Sequence, residues 1–362
     1  MDTKEILHKL VAFDTQIQHN TLEAVNWVRN YLQNFGVEVS LIYNQEKTRA
    51  SLMAFIGDKN RPGCVFSGHL DTVPADETFY RGRPFELHYE NGRYYGRGAC
   101  DMKGPIAGFL AAVPELVKAG KSAVLLLTHD EEGGFQAINQ VTADPDIVKF
   151  LQNQQNCIVM EPSDLKAVTA HKGTRLLEVS LFGRSGHSSR PSLCIDAVDA
   201  AVNSYCRLLG GFRKLAENYG ANPAFIEPYS TATVGLFNGG EAINTVADRA
   251  VYTLLSRENP GDDFEKFFAD VFMDYNSPAR LEIKQKLYAY AFKSRCKPEF
   301  IESLNRGQQP QAVNFGTEAG FFEKIGLPTV VFGPGNIAQA HTKDEYISAA
   351  QLEKWTAMIP EI

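Results

Sequence analysis

Three short apolar runs constrain the fold more than any other feature of the 362-residue chain. They read "CVFSG", "AVLLLT" and "CIVM", and each is bounded by turn residues. None alternates strictly between apolar and polar residues, which is typical of strands buried on both faces of a sheet. The segment "MKGPIAGFLAAVPELVKAG" (102–120) predicts a helix between the first two runs. The sequence therefore favours an α/β domain.

The middle of the chain has a different pattern. "RLLEVSLFGRSG" alternates apolar and polar residues, as a half-exposed antiparallel strand does. A helix, the strands "TATVGLFNGG" and "ADRAVYTLLSR", another helix and "RLEIKQKLYAY" follow. This β-α-β-β-α-β order predicts a ferredoxin-like α+β unit.

The length of the chain predicts two domains, because one hydrophobic core stops growing at roughly 250–300 residues. We predict a catalytic α/β domain formed by residues 1–173 and 291–362. Its sheet is expected to be mixed, mostly parallel and flanked by helices. The ferredoxin-like domain is expected to be inserted at residues 174–290.

Composition narrows the possible partners. The net charge is −7 and there is no run rich in lysine or arginine, so binding to nucleic acid is not expected. No stretch approaches the ~18 apolar residues of a membrane span, and the N-terminal segment predicts an amphipathic helix rather than a signal peptide. Six cysteines without CxxC spacing suit a reducing compartment, so we expect a cytoplasmic protein.

Residues of types that can bind metals, histidine and glutamate, follow all three apolar runs. His69 follows the first, Glu131 and Glu132 follow the second, and Glu161 follows the third. In open α/β sheets, ligands bind beyond the carboxyl ends of the strands. We therefore expect these groups to meet at one edge of the sheet.

Two further groups can reach the same edge. Asp101 precedes the predicted helix, and His341 follows the last predicted strand by a short loop. Two histidines and three carboxylates suit zinc, cobalt or manganese, and they suit two ions if one carboxylate bridges. The remaining glutamate is then available as a general base. Asp71, two residues after His69, can accept the imidazole N–H and fix its tautomer.

Each group also has an ordinary explanation. "DEE" (130–132) could be a solvated turn, Asp101 a helix N-cap, His69 a hydrogen-bonded histidine at a strand end, and His341 an exposed loop residue. These explanations are independent, and they do not predict that all the groups follow strands of one domain. Asp130 has no assigned role. No GxGxxG, GxSxG or P-loop motif competes.

The residues quoted so far belong to longer motifs, "SGHLDTVP", "GRGACDMKG", "DEEGG", "MEPSD" and "GPGNIAQAHTKDEY". With them the sequence resembles the M20 family of metallopeptidases and deacylases throughout its length. The resemblance implies two divalent ions, zinc or cobalt, bridged by Asp101, and a cis peptide bond between Asp101 and Met102. It implies that one ion is held by His69 and Glu161, that the other is held by Glu132 and His341, and that Glu131 is the general base.

The resemblance also implies roles outside the metal site. The inserted domain would be the lid and dimerisation domain of a homodimer, and its His187 would reach the partner's active site to stabilise an oxyanion. Asn244 would contact the substrate, although the usual Ile-Pro after it is Val246-Ala247 here. Arg257 would clamp the substrate α-carboxylate, which the planar guanidinium fits. Thr317 and Gly335 would line the pocket.

The expected activity is therefore hydrolysis of the acetyl amide of a small N-acetyl amino acid. N-acetylornithine is the first substrate that the resemblance implies. N-acetylcitrulline and then succinyl-diaminopimelate are the alternatives. A non-catalytic dimeric binding protein on the same fold is the alternative from a different class.

Overall fold

A computed structural model describes residues 1–75, 82–273 and 275–362. Its strands, in chain order, are β1 (Glu38–Tyr43), β2 (Ala50–Ile56), β3 (Cys64–His69), β4 (His88–Glu90), β5 (Arg93–Tyr95), β6 (Ala123–Thr128), β7 (Asn156–Val159), β8 (Val168–His171), β9 (Gly173–Phe182), β10 (Gly186–His187), β11 (Thr231–Gly239), β12 (Thr245–Val246), β13 (Arg249–Glu258), β14 (Arg280–Ala289), β15 (Phe292–Lys293), β16 (Gln311–Val313), β17 (Thr329–Val331) and β18 (Tyr346–Ser348).

The α-helices are α1 (Thr3–Ala12), α2 (Leu22–Gln33), α3 (Lys103–Lys118), α4 (Gln136–Ala143), α5 (Pro145–Gln152), α6 (Ala197–Tyr219), α7 (Phe264–Phe272), α8 (Pro298–Asn305), α9 (Ala319–Lys324) and α10 (Ala349–Met358). The predicted helix at 102–120 is confirmed as α3. None of the described helices is both long enough and apolar enough to cross a bilayer.

The chain divides into two compact units. The first comprises Met1–Thr169, Lys293–Gln311 and Thr317–Ile362, and the second comprises Ala170–Phe292 and Ala312–Gly316. The sequence predicts that residues 312–316 belong to the first domain. The structure groups them with the second unit, where the Lys172 N–H donates to the Val313 carbonyl.

A nine-stranded sheet, to which the first unit contributes β1, β2, β3, β6, β7 and β17, has the strand order β1-β2-β6-β3-β7-β17-β8-β15, and β16 pairs with β8. Its four central strands, β6, β3, β7 and β17, are parallel, whereas β1, β2 and β8 join antiparallel. Every residue of β3 and β6 is buried, as their continuous apolar runs predict. α3 lies against α1 and α10, and this packing explains why most of its side chains are buried. The predicted mixed α/β sheet flanked by helices is confirmed.

The second unit has a four-stranded antiparallel sheet in the order β11-β13-β9-β14. With α6 and α7 between its strands along the chain, this is the predicted β-α-β-β-α-β unit. Residues spaced three and four apart on α6, among them Leu208, Phe212 and Leu215, are buried in the core of this unit. β11 is an edge strand, and its Leu236 side chain is 62% exposed.

Candidate metal centre

The carboxyl ends of three parallel strands meet at one edge of the first sheet. In the register of β3 with β6, His69 pairs with Thr128, so both strands end together. Glu131 and Glu132 follow Thr128 by three and four residues, and Glu161 follows the last residue of β7 by two. The sequence places these groups together because parallel strands share a carboxyl edge.

His69 is buried, and its two ring nitrogens face different partners. Nδ1 lies 2.9 Å from the backbone carbonyl oxygen of Asp71, which only accepts, so Nδ1 carries the proton. Nε2 lies 3.0 Å from Asp101 Oδ1 and 3.6 Å from Glu161 Oε1. This tautomer directs Nε2 into the carboxylate cluster, where it could bind a metal.

The carboxylate of Asp101 lies between the side chains of His69 and His341. Its Oδ1 faces His69, and its Oδ2 lies 3.3 Å from Nε2 of His341, which itself lies 2.7 Å from Glu132 Oε1. The N-cap of α3 is Met102, with no side-chain cap, so the alternative explanation of Asp101 as a helix cap does not hold. The peptide bond between Asp101 and Met102 is cis, as the sequence resemblance implies.

Two overlapping groups of side chains could each hold an ion. Their ligand atoms lie within 4.8 Å of one another, and the groups are His69, Asp101 and Glu132, and His69, Glu131 and Glu161. Imidazole nitrogen and carboxylate oxygen are ligands that zinc and cobalt accept. The donor set therefore fits one or more divalent ions, and Glu131 lies within reach of them.

Burial and mutual repulsion shape the electrostatics of the cluster. Removal from water raises the pKa of Glu131 well above its ordinary value, and the neighbouring Glu161 carboxylate adds to that shift. Burial also raises the pKa of Glu161. The hydrogen bonds to Asp101 and Glu132 raise the pKa of His341 to about 10. Carboxylates crowded away from water are stabilised by positive charge, which a divalent cation would supply.

Asp71 holds the turn that carries the two glutamates. Its Oδ1 accepts from the Glu131 N–H at 3.2 Å, and its Oδ2 accepts from the Glu132 N–H at 3.0 Å. From the sequence, the Asp71 side chain is expected to accept the His69 N–H. In the structure the backbone carbonyl of Asp71 does so, and the carboxylate lies 3.6 Å from Nδ1.

Asp130 has a structural role that sequence reasoning missed. Its carboxylate accepts from the backbone N–H groups of Gln136 at 2.9 Å and Ala137 at 2.7 Å, at the start of α4. Its carbonyl oxygen accepts from the Gly133, Gly134 and Phe135 N–H groups. Phe135 lies at φ 62°, which turns the chain back toward Asp130. The third acid of "DEE" thus caps a helix, while the two glutamates face the cluster.

In the second unit, His187 and Asn244 lie side by side. β10 pairs with β12, which places His187 opposite Thr245, and the Ser188 N–H donates to the Asn244 carbonyl at 3.0 Å. The Ser189 N–H donates to Nδ1 of His187 at 3.2 Å. With Nδ1 accepting, the proton of the neutral ring lies on Nε2, which leaves an exposed hydrogen-bond donor.

Arg257 lies on β13 of the same unit. Its Nη1 donates to Thr174 Oγ1 at 2.5 Å, and burial lowers its pKa. Among the residues that the structure describes, no carboxylate lies within ion-pair distance of Arg257. A half-buried guanidinium of this kind can bind an anion.

Thr317 and Gly335 both belong to the first unit and are buried. Thr317 Oγ1 accepts from the Ala319 N–H at 3.1 Å, ahead of α9. Gly335 has φ 89°, and a Cβ there would lie 2.6 Å from Cys100 Sγ. Both residues therefore have structural contacts, and their role in lining a pocket stays a prediction.

Comparison with known proteins places the chain in a family. Residues 65–362 match peptidase family M20/M25/M40. An acetylornithine deacetylase from Photorhabdus laumondii is 32% identical over 348 residues, which are 93% of this chain and 88% of that protein. An acetylornithine deacetylase from Yersinia pseudotuberculosis is 30% identical over 97% of this chain and 92% of its own. This chain therefore belongs to peptidase family M20/M25/M40, and it is a metallo-hydrolase.

Solved structures support the same fold. An M20 family metallo-carboxypeptidase from Sulfolobus solfataricus matches with a TM-score of 0.76 at 20% identity, covering 100% of both chains. A dinuclear metal binding peptidase of the M20 family from Bacillus subtilis matches with a TM-score of 0.65 at 15% identity, covering 99% of this chain and 96% of its own. The resemblance noted in the sequence is confirmed.

Proposed function

We propose that this protein hydrolyses the acetyl amide of N-acetylornithine, giving ornithine and acetate, with two divalent metal ions, zinc or cobalt. The observation that carries the proposal is the cluster of His69 and four carboxylates, joined by the half-exposed His341, in a chain whose relatives include acetylornithine deacetylases. We place the reaction in the cytoplasm and in arginine biosynthesis.

In this proposal Asp101 would be a ligand of both ions, because its Oδ1 faces His69 and its Oδ2 faces His341. His69 and Glu161 hold one ion, and Glu132 and His341 hold the other. When bound, such ions would supply Lewis-acid chemistry, which activates water and polarises an amide carbonyl. Asp71 keeps the Glu131–Glu132 turn in place through its two hydrogen bonds.

Glu131 is the proposed general base. It takes a proton from the attacking water and delivers it to the nitrogen of the leaving amine, so it is regenerated within one turnover. In the metal-free protein, burial raises the pKa of Glu131. Bound cations would lower that pKa again, which keeps Glu131 ionised when it must accept a proton.

Arg257 is proposed to bind the α-carboxylate of the substrate, and His187 with Asn244 is proposed to act in the site of a partner chain. The register of β9 with β13 supports this division, because Arg257 pairs with Thr174 and Arg249 pairs with Phe182. Eight residues of strand separate these pairs, a distance of ~26 Å. His187 lies beyond the Phe182 end, so one small substrate cannot contact both side chains of one chain.

A homodimer follows from this proposal. The exposed edge strand β11, with Leu236 at 62% and Phe237 at 38% exposure, offers backbone hydrogen-bonding groups and apolar surface to a second copy. Light scattering of the purified protein should give twice the mass of the chain.

Acetate release from a substrate panel tests the activity. The panel contains N-acetylornithine, N-acetylcitrulline, N-acetylmethionine and succinyl-diaminopimelate, each with zinc or cobalt supplied. We expect the highest kcat/KM for N-acetylornithine and no turnover after treatment with EDTA. A higher kcat/KM for N-acetylcitrulline would refute the substrate assignment. A protein that binds no metal and releases no acetate would instead support a binding protein.

A further inference from the structure

The carboxylate of Glu345 is 1% exposed and accepts four hydrogen bonds from one loop. Its Oε1 accepts from the backbone N–H groups of Cys100 at 3.0 Å and Asp101 at 3.1 Å. Its Oε2 accepts from the Gly98 N–H at 3.0 Å and from Arg97 Nη1 at 2.7 Å. All of the donors lie within five consecutive residues, and Asp101 is the last of them.

These contacts fix the backbone from which the Asp101 side chain projects. Three amides converge on one buried anion, an arrangement that requires the loop to curl around it. Gly98 at φ 79° permits that curl. Because the N–H of Asp101 is itself one of the donors, Glu345 restricts the position of the Asp101 Cα and the direction of its carboxylate.

Glu345 also belongs to the segment that carries His341, four residues earlier. Its backbone carbonyl accepts from the Gly96 N–H at 3.1 Å, and β18, which begins at the next residue, pairs with β5. Side chain and main chain of one residue therefore tie the His341 segment to the Asp101 loop. The distance of 3.3 Å between His341 Nε2 and Asp101 Oδ2 is maintained across this connection.

Stability alone is a weak reason for this arrangement. Arg97 is 5% exposed, so its ion pair with Glu345 is buried, and a buried pair gains little over apolar side chains of similar volume. A carboxylate, in contrast, has lone pairs enough for all four donors, which no apolar residue offers.

We propose that Glu345 is a positioning residue of the metal centre, which holds Asp101 and His341 at the spacing that two bridged ions need. The inference rests on the ligands assigned in the proposed function. It adds a residue that contacts neither ion nor substrate and acts through the loop.

The test compares Glu345→Gln with a matched control, Glu323→Gln. Glu323 also accepts two backbone N–H groups, from Arg295 and Thr329 at 2.9 Å each, together with the Arg295 guanidinium, but it holds other segments of the same unit. Three quantities are measured for each variant. They are the affinity for cobalt(II), the visible absorption of the cobalt(II) protein, and amide hydrogen exchange at residues 97–101 in the metal-free protein.

For Glu345→Gln we expect cobalt affinity on the order of 10- to 100-fold weaker, a changed cobalt spectrum and faster exchange at residues 97–101. For Glu323→Gln we expect all three to match wild type, although its thermal midpoint also falls. Glu345→Asp keeps the charge, so its cobalt affinity and amide exchange should lie between those of wild type and Glu345→Gln. If the glutamine variant does not fold, Glu345→Asp is compared with wild type instead.

A wild-type cobalt spectrum and an affinity within threefold of wild type in Glu345→Gln would overturn the positioning role. The same changes in Glu323→Gln would also overturn it, because the effect would then be general destabilisation. A wild-type protein that binds no cobalt is a different result, and it would refute the proposed function instead.

Discussion

Replacing Asp71 by asparagine tests how the turn with the two glutamates is held. Asp71 is fully buried, and its two oxygens accept one N–H each, from Glu131 and Glu132. An asparagine amide has one acceptor oxygen, so one buried N–H loses its partner and faces an NH₂ group instead. Leaving a buried donor unsatisfied costs ~1–3 kcal/mol, and more when the lost acceptor was charged.

Losing one of these hydrogen bonds should also lower activity, because they position Glu131, the proposed base, and Glu132, a proposed metal ligand. A residue that orients a metal ligand typically contributes about 10- to 100-fold to metal affinity or activity. We therefore expect kcat/KM for acetate release to fall by about that factor in Asp71→Asn, and further in Asp71→Ala, which keeps neither hydrogen bond. His69 should be little affected, since the main-chain carbonyl of residue 71 accepts its N–H.

The assay combines kcat/KM with the thermal midpoint of the metal-free protein. Asp58→Asn is the matched control, because Asp58 is an exposed aspartate that also accepts a backbone N–H, from Asn60 at 2.9 Å. The control should match wild type in both measurements. A value of kcat/KM within twofold of wild type in Asp71→Asn would refute the reasoning.

Three further predictions concern other acids of the first unit. Glu131→Gln should keep its metal content by elemental analysis yet lose ~10²- to 10⁴-fold in kcat, and near-normal turnover would exclude Glu131 as the base. Asp130→Ala removes the cap of α4 and should lower the free energy of unfolding by ~1–2 kcal/mol; an unchanged thermal midpoint would contradict that role. Burial raises the pKa of Glu318 to about 8, so the metal-free protein should lose stability as the pH rises from the usual 4.5 through 8. The decrease of the unfolding free energy with pH should be smaller in Glu318→Gln than in wild type. An equal decrease in both proteins would show that another group titrates.

The clustering of the candidate ligands was predictable because it depends on strand ends. His69, Glu132 and Glu161 follow apolar runs that the sequence pattern identifies, and parallel strands bring their carboxyl ends together. The hydrogen-bond partners of the individual side-chain atoms in this site were not predictable. The His69 N–H could bond either the side chain or the carbonyl of Asp71, and only the folded backbone decides between them.

Asp130 shows a second limit of the sequence. Its carboxylate bonds N–H groups six and seven residues later, whereas ordinary capping patterns span two or three residues. The longer connection depends on the left-handed conformation of Phe135, a residue type that rarely adopts it. The association of residues 312–316 with the second unit was missed for a similar reason, since it depends on pairing between segments distant in the chain.

The register of the second sheet has a consequence for mixed dimers. His187 and Arg257 lie toward opposite ends of β9 and β13, so in the proposed homodimer each active site takes one from each chain. A His187→Ala chain and an Arg257→Ala chain are then each inactive alone. Unfolded and refolded together, they would form hybrids in which one site is damaged twice and the other is intact. Random mixing would restore about one quarter of the wild-type sites, so two dead enzymes would complement each other in one tube.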